Sequence, residues 1–466
     1  MLLKSKELLI DPDQPFLNDQ LGRKESAEVL TQFVLSTDEP LVICIDAPWG
    51  QGKTTFLKMW ECHLRALSIP SLYFNAWEND FTDDALVSLI GEISCSIDQL
   101  SNKGDSSKAK EHLKKAKSFG IALLKRSLPV AAKVVTAGAL DLDKVSEQAF
   151  ASFAESIAKE EIEKYEQSKK TLSNFRETLK DFAQAICSPD DPKPLVFIID
   201  ELDRCRPNFS IEVLEKAKHF FNVPNIVFVL GADKTQLGHS VRAIYGRDLD
   251  VNGYLRRFID FDYILPTPEK GVFIKSLFRK FEFDQYFSNK STTETRYEKD
   301  HSLKMFSELV QIYDLSLREQ EHCCSLLSLA IKTTPDNYLL YPLFLCFLIV
   351  LKIKKPDLYK SFANETLEPQ ELFEIFEKTK GAKDLLNSNY GMALEAHILT
   401  SKSHRIGADD VLEKYSQVVK STSSSEEEKN RANRIMEIIR NFDWNGGIGI
   451  LGYLVNKIEI ASRFKR

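Results

Sequence analysis

The chain has 466 residues, 43% of them hydrophobic and 28% charged, with a net charge of −6. This is ordinary for a globular intracellular protein of about two or three domains, and the negative balance gives no global sign of nucleic-acid binding. The eight cysteines (44, 62, 95, 187, 205, 323, 324 and 346) are scattered without C-x-x-C spacing, which argues against a disulfide framework or a thiolate metal site. The opening MLLKSKELLIDPDQP is charged throughout and lacks a signal-peptide apolar core, so the expected location is the cytoplasm.

Asp38-Glu39-Pro40 precedes a run of apolar and β-branched residues, Leu41–Asp46, which reads as a buried strand. Ala47-Pro48-Trp49-Gly50-Gln51-Gly52-Lys53-Thr54-Thr55 follows, and then a helical stretch through Phe56–Trp60. Strand, glycine-bearing turn and helix together make a phosphate-binding loop. The loop Pro48–Thr55, through its backbone N–H groups from Trp49 onward, and the helix N-terminus would face the phosphates of a nucleotide. Lys53 supplies a positive charge, and the Thr54 hydroxyl is placed to ligate Mg²⁺. Ala47 stands where the first glycine of the motif belongs.

Ser71–Phe74 reads as a second strand after Pro70, with helical spacing from about residue 80 through Leu86, Leu89, Ile90 and Ile93. Residues 101–190 read as a helical insertion. A polar break is followed by Lys108, Lys110, Lys114, Lys115 and Lys117, best explained as a solvated face. The apolar run at 121–140 contains Lys125, Arg126, Lys133 and Pro129, so it reads as a buried or partner-facing segment, and membrane contact is not expected. Long amphipathic helices are expected over 144–187.

Strand signals return at Leu195–Ile199 and Ile226–Leu230, with a helical stretch between them. Apolar strands alternating with helices predict a parallel sheet covered on both faces. The first of these strands would deliver Asp200 to the carboxyl edge as a second Mg²⁺ ligand, with Glu201 beside it to orient an attacking water. Asp203 and Arg204 continue this segment. Asp233 has two readings, a polar sensor near the γ-phosphate or the N-cap of the next helix. Arg257, adjacent to Arg256, is a candidate arginine finger or part of a solvated pair, and Arg318 a candidate second sensor. No Asn-Lys-x-Asp run is present, which favours ATP over GTP.

Beyond Pro266 and Pro268 the chain reads as helical. Residues 1–100 and 191–268 are expected to form the nucleotide-binding core, 269–420 a helical domain and 421–466 a C-terminal helical segment. Tyr338–Leu351 reads as a core helix, too short to span a bilayer. Gly447–Gly452 spells G-x-G-x-x-G but no βαβ unit fits after it, so it reads as a turn or packing motif.

The order of Gly22-Arg23, FNAW at 74–77, PWGQGKTT, IIDELDRC at 198–205, VLGADK at 229–234, YLRRF at 254–258 and LKIKKPDLY at 351–359 resembles that of the KAP P-loop NTPases over about residues 20–365. That family is similar to STAND and AAA+-like ATPases and often carries an insertion between its two Walker motifs, where residues 101–190 lie. Glu201 stands where many members carry Asp. The resemblance implies an α/β P-loop NTPase sheet with helices on both faces, a helical insertion and an all-α C-terminal region, and Mg²⁺-dependent ATP hydrolysis. Bacterial members have been linked to defence against phage, which implies partner proteins of the same operon and allows a homo-oligomer. A slow nucleotide switch and a nucleic-acid-dependent motor stand as alternatives, although nothing in the composition indicates nucleic acid.

Overall fold

A computed structural model describes residue 2, 8–81 except 38, scattered positions within 85–118, 166–185 except 168 and 172, 193–217, 222–267, 269, 271–289, 298–334, 339–402, 405–442 and 450–459. The apolar run at 121–140, most of the expected insertion and Gly447–Gly449 therefore lie outside the described residues. The chain divides into two units, Leu9–Pro266 and Thr267–Arg466 with Met1–Leu8.

The first unit is built on a parallel sheet. In chain order it contains α1 (Lys24–Leu35), β1 (Leu41–Asp46), α2 (Lys53–Ala66), β2 (Ser71–Asn75), β3 (Leu195–Asp200), α3 (Pro207–Ala217), β4 (Ile226–Ala232), α4 (Lys234–Tyr245), α5 (Val251–Leu255) and β5 (Phe261–Ile264). The strands lie in the order β2-β3-β4-β1-β5. β4 thus separates the strand that leads into the loop from the strand that ends at Asp200. Every strand pair is parallel, with Ile45 beside Gly231 and Gly231 beside Asp200.

Alternation along the strands assigns the two faces. Ile43, Ile45, Val196, Ile198, Val227 and Val229 pack with Leu30 and Val34 of α1 and Leu57, Trp60 and Leu64 of α2. Val42, Cys44, Phe197, Ile199, Phe228 and Leu230 pack on the opposite face with Val213 and Leu214 of α3 and Leu237 and Val241 of α4. Phe175, Phe182 and Ala183, from a described helical stretch at 173–185, join that second layer. β1, β3 and β4 are buried along nearly their whole length, as expected of parallel strands with two covered faces.

The second unit is all helical among its described residues: α6 (Val272–Lys280), α7 (Phe283–Asn289), α8 (Glu298–Ile312), α9 (Leu317–Lys332), α10 (Pro342–Lys354), α11 (Pro356–Ala363), α12 (Pro369–Glu377), α13 (Ala382–Leu386), α14 (Asn389–Leu399), α15 (Arg405–Lys420), α16 (Glu426–Arg440) and α17 (Ile450–Ile458). Its centre is α10, in which every residue from Leu343 to Leu351 is buried. A helix apolar on all sides must be surrounded, and α8, α9, α11 and α14 pack against it. Pro342 takes the first helical position, where its missing N–H costs nothing. Glu426–Glu428 open α16 behind a Ser425–Glu428 capping box. α16 is followed by α17, which takes in Ile450-Leu451-Gly452 of the glycine motif. Among the described residues no helix is long and apolar enough to cross a membrane.

His397 on α14 lies between the rings of Phe344 and Phe442, with the Phe442 centroid 4.4 Å away. Its Nδ1 has no hydrogen-bond partner among the described residues, and burial alone pushes its pKa down to about 4. The unfolded chain takes up this proton near pH 6.5. Below that pH the unfolded state binds more protons than the folded one, so this contribution to stability is whole above 6.5 and is lost as the pH falls towards 4. Urea unfolding should show a loss of about 2 kcal/mol between pH 7 and pH 5 from this group, absent in His397→Phe.

Candidate functional site

Between β1 and α2 the chain turns through Ala47–Gly52. Gly50 and Gly52 both have φ of 80°, a left-handed conformation that a Cβ disfavours. Ala47 is not among the residues at positive φ, and its methyl is buried in the core beneath the loop. An L-residue therefore fits where the motif usually has its first glycine. The first N–H groups of α2 have no intrahelical partners, which leaves them for a phosphate chain.

The loop is pinned from three sides. Asp233 caps α4 by accepting from the N–H groups of Thr235 and Gln236, so the N-cap reading is the one observed. Its second oxygen accepts from the Trp49 N–H at 3.3 Å. Asp46 Oδ1 accepts from the Lys234 N–H at 3.1 Å, fixing the end of β1 against the start of α4. Buried Arg23 donates to the Gln51 carbonyl at 3.2 Å and to the Pro266 carbonyl.

Thr54 stands in the first turn of α2, and its hydroxyl donates to Glu201 Oε1 at 3.2 Å and also meets the Asp200 carboxylate. Asp200 is fully buried at the end of β3. Oδ1 accepts from the Glu201 N–H at 2.8 Å and Oδ2 from the Tyr73 hydroxyl at 2.7 Å. Burial raises the Asp200 pKa, and these hydrogen bonds act against the rise. The Tyr73 phenol is pushed up by burial and by the carboxylate it faces. Glu201 adopts a left-handed φ of 60° and opens a single 3-10 turn, Leu202–Arg204. That turn brings Arg204 back onto the Glu201 carboxylate and over the Trp77 ring. Lys53 Nζ donates to the Ala47 carbonyl at 3.1 Å and lies 3.6 Å from Asp203 Oδ2.

The expected residues Lys53, Thr54, Asp200 and Glu201 thus converge at one end of the sheet. Arg256 and Arg257 are exposed after α5, where Arg257 lies 6.0 Å from the Tyr254 ring centroid. No hydrogen bond or ion pair among the described residues joins either arginine to the loop. Arg318 is exposed in the first turn of α9, in the second unit.

The family model described as the KAP family P-loop domain matches residues 23–333. The chain belongs to the KAP family. It is a P-loop NTPase, of a nucleotide-binding fold. Among solved structures, it is similar to the ORC2 protein of Aeropyrum pernix, solved as ADPNP–ADP complexes, at 13% identity and a TM-score of 0.33 over 98% of each chain. No curated protein matches.

The donor set of this KAP domain fits nucleotide and metal. Left-handed glycines and a helix N-terminus suit phosphate, and the hard oxygens of Thr54 and Asp200 suit Mg²⁺. Among the described residues no cluster of three or more His, Cys, Asp or Glu is placed to hold a metal. One carboxylate completed by phosphate oxygens is the usual arrangement for Mg²⁺.

Two supporting residues escape sequence reasoning. Tyr73 lies 127 positions before Asp200, and only the β2–β3 pairing makes them neighbours. Gly231 resembles any strand glycine. A Cβ there would lie 2.5 Å from both Asp200 Oδ1 and Leu57 Cδ1. Gly231→Ala is therefore expected to destabilise the chain by roughly 1–3 kcal/mol, read as a lower urea midpoint, and to weaken Mg²⁺-dependent nucleotide binding.

Proposed function

We propose that this KAP NTPase hydrolyses ATP with Mg²⁺ and uses the cycle as the energy or switch module of a bacterial anti-phage complex. The observation that carries the catalytic part is the contact of Thr54 with both Asp200 and Glu201. It supports reading Thr54 and Asp200 as hard-oxygen ligands and Glu201 as a carboxylate base around the first turn of the helix that leads from the phosphate loop.

In this scheme Lys53 places its ammonium against the phosphate oxygens, where charge gathers in the transition state. Thr54 and Asp200 would hold the metal. Glu201 orients the attacking water and accepts its proton. Mg²⁺, when bound, supplies neutralisation of charge on the β- and γ-phosphate oxygens. Arg257 and Arg318 are the candidates for a further positive charge at the γ-phosphate, the first in cis or from a neighbouring copy. Both are exposed and so free to be recruited. The defence role rests on the family resemblance, as do partner proteins of the same operon and self-association. A cytoplasmic site of action belongs to the same reading.

A slow switch is the second reading. It is favoured by the Arg204–Glu201 ion pair, which ties the proposed base to a cation of its own segment. No comparable observation favours a nucleic-acid motor, and the net charge of −6 does not advertise a basic channel.

Steady-state ATP hydrolysis by the purified chain, with and without DNA, separates these readings. Lys53→Ala and Glu201→Gln should each lower turnover by at least about a hundredfold, with Glu201→Gln still binding ATP. Tight ATP retention with negligible turnover in the wild type would select the switch. Stimulation by DNA would select the motor.

A further inference from the structure

Asp203 has no role in the hydrolysis scheme, yet its carboxylate is almost wholly buried beside the loop. Its side chain is 1% exposed and that of Lys53 8%. Asp203 Oδ2 stands 3.6 Å from Lys53 Nζ and also accepts from the Trp49 indole N–H. Its Oδ1 is buried without a hydrogen-bond partner among the described residues. A carboxylate left half satisfied in the interior is uncommon and calls for a reason.

The reason lies in what Lys53 must do. Its ammonium is the group that anionic phosphate oxygens require, and in this structure it is paired with a carboxylate. Two anions sharing one cation in a poorly hydrated place repel each other strongly. A phosphate chain entering the loop therefore competes directly with Asp203. The indole of Trp49, itself a loop residue, is bound to the same carboxylate oxygen and is carried along by the outcome.

We propose that Asp203 is a positioning residue of the phosphate loop. It seats Lys53 and the Trp49 indole as they are seen here, and the phosphates of a nucleoside di- or triphosphate displace it from both. The proposal rests on the nucleotide-binding reading of the site. Affinity for nucleotide is then set partly by the strength of the Asp203 contacts, and the indole, 46% exposed at residue level, reports the exchange.

Calorimetric titration with ADP and Mg²⁺, together with tryptophan emission, tests this in the full chain. The variants are Asp203→Asn, Asp203→Ala and Trp49→Phe, the last identifying the Trp49 share among the four tryptophans. Wild-type emission should shift on ADP binding and lose that shift in Trp49→Phe. Asp203→Ala should show the shifted emission before ADP is added. Asp203→Asn, which keeps shape and an acceptor but removes the charge, should bind ADP on the order of tenfold tighter. If Asp203→Ala does not fold, the isosteric variant still decides. Wild-type binding with unmoved Trp49 emission, or equal or weaker binding by Asp203→Asn, overturns the proposal and leaves the nucleotide site standing. Absence of binding by folded wild type and both Asp203 variants overturns the nucleotide reading and the proposal with it.

Discussion

The arrangement of this site depends on keeping one carboxylate buried at the end of a strand. Asp200 has no contact with bulk water, and a buried carboxylate is tolerated only with hydrogen bonds to its oxygens. Those bonds come from two different elements, the Tyr73 hydroxyl on β2 and the Glu201 N–H on the following turn, with the Thr54 hydroxyl of α2 close by and donating to Glu201. Each donor is in place only because the sheet register is what it is. Gly231, the neighbour of Asp200 on β4, leaves the space into which the carboxylate and the Leu57 side chain fit. Parallel pairing, a missing Cβ and a tyrosine on the edge strand are therefore one structural requirement.

Local signals locate most of the pieces. Apolar runs of five or six residues mark β1, β3 and β4 to within two residues at their ends, because strands covered on both faces have no polar positions inside. The phosphate loop and the acidic pair are readable because their residue types are demanded by chemistry at fixed spacing. Strand order is not readable in this way. Nothing between Leu41 and Asp200 announces that β4 will insert between β1 and β3, and so the roles of Gly231 and Tyr73 stay hidden. The two meanings of Asp233 are likewise separated only by geometry, which gives its carboxylate to the N-terminus of α4 and to the loop backbone. In the second unit, the buried run of α10 is legible from composition alone, whereas the ring stack around His397 depends on residues 344, 397 and 442 meeting in space.

Ala47 illustrates the difference between a motif's letters and its requirements. Glycine is needed in a phosphate loop where φ is positive or where a Cβ would obstruct the ligand. Gly50 and Gly52 meet the first condition, and Ala47 does not. Its methyl instead joins the apolar layer formed by Ile45, Phe56 and Leu57, adding contact where a glycine would add only freedom to the unfolded chain. The departure from the pattern is thus compatible with the same loop and contributes to its anchorage.

Charge is distributed around this loop so that each group the chemistry needs already has a partner. Lys53 faces Asp203, and Glu201 faces Arg204 and Thr54. Buried ions require such pairing, since the desolvation of a lone charge would exceed the stability of the site. The same pairing limits how readily those groups can be handed to a ligand. Both partners come from one 3-10 turn entered through Glu201 at a left-handed φ, a backbone state that costs about 1–3 kcal/mol for a non-glycine residue and persists only where its surroundings enforce it. Because Asp203 and Arg204 share this short turn, a movement that withdraws one also disturbs the other. In the proposed scheme, phosphate binding at Lys53 and release of the Glu201 carboxylate would be linked through the turn Leu202–Arg204, which would make that turn the point of coupling between nucleotide entry and hydrolysis.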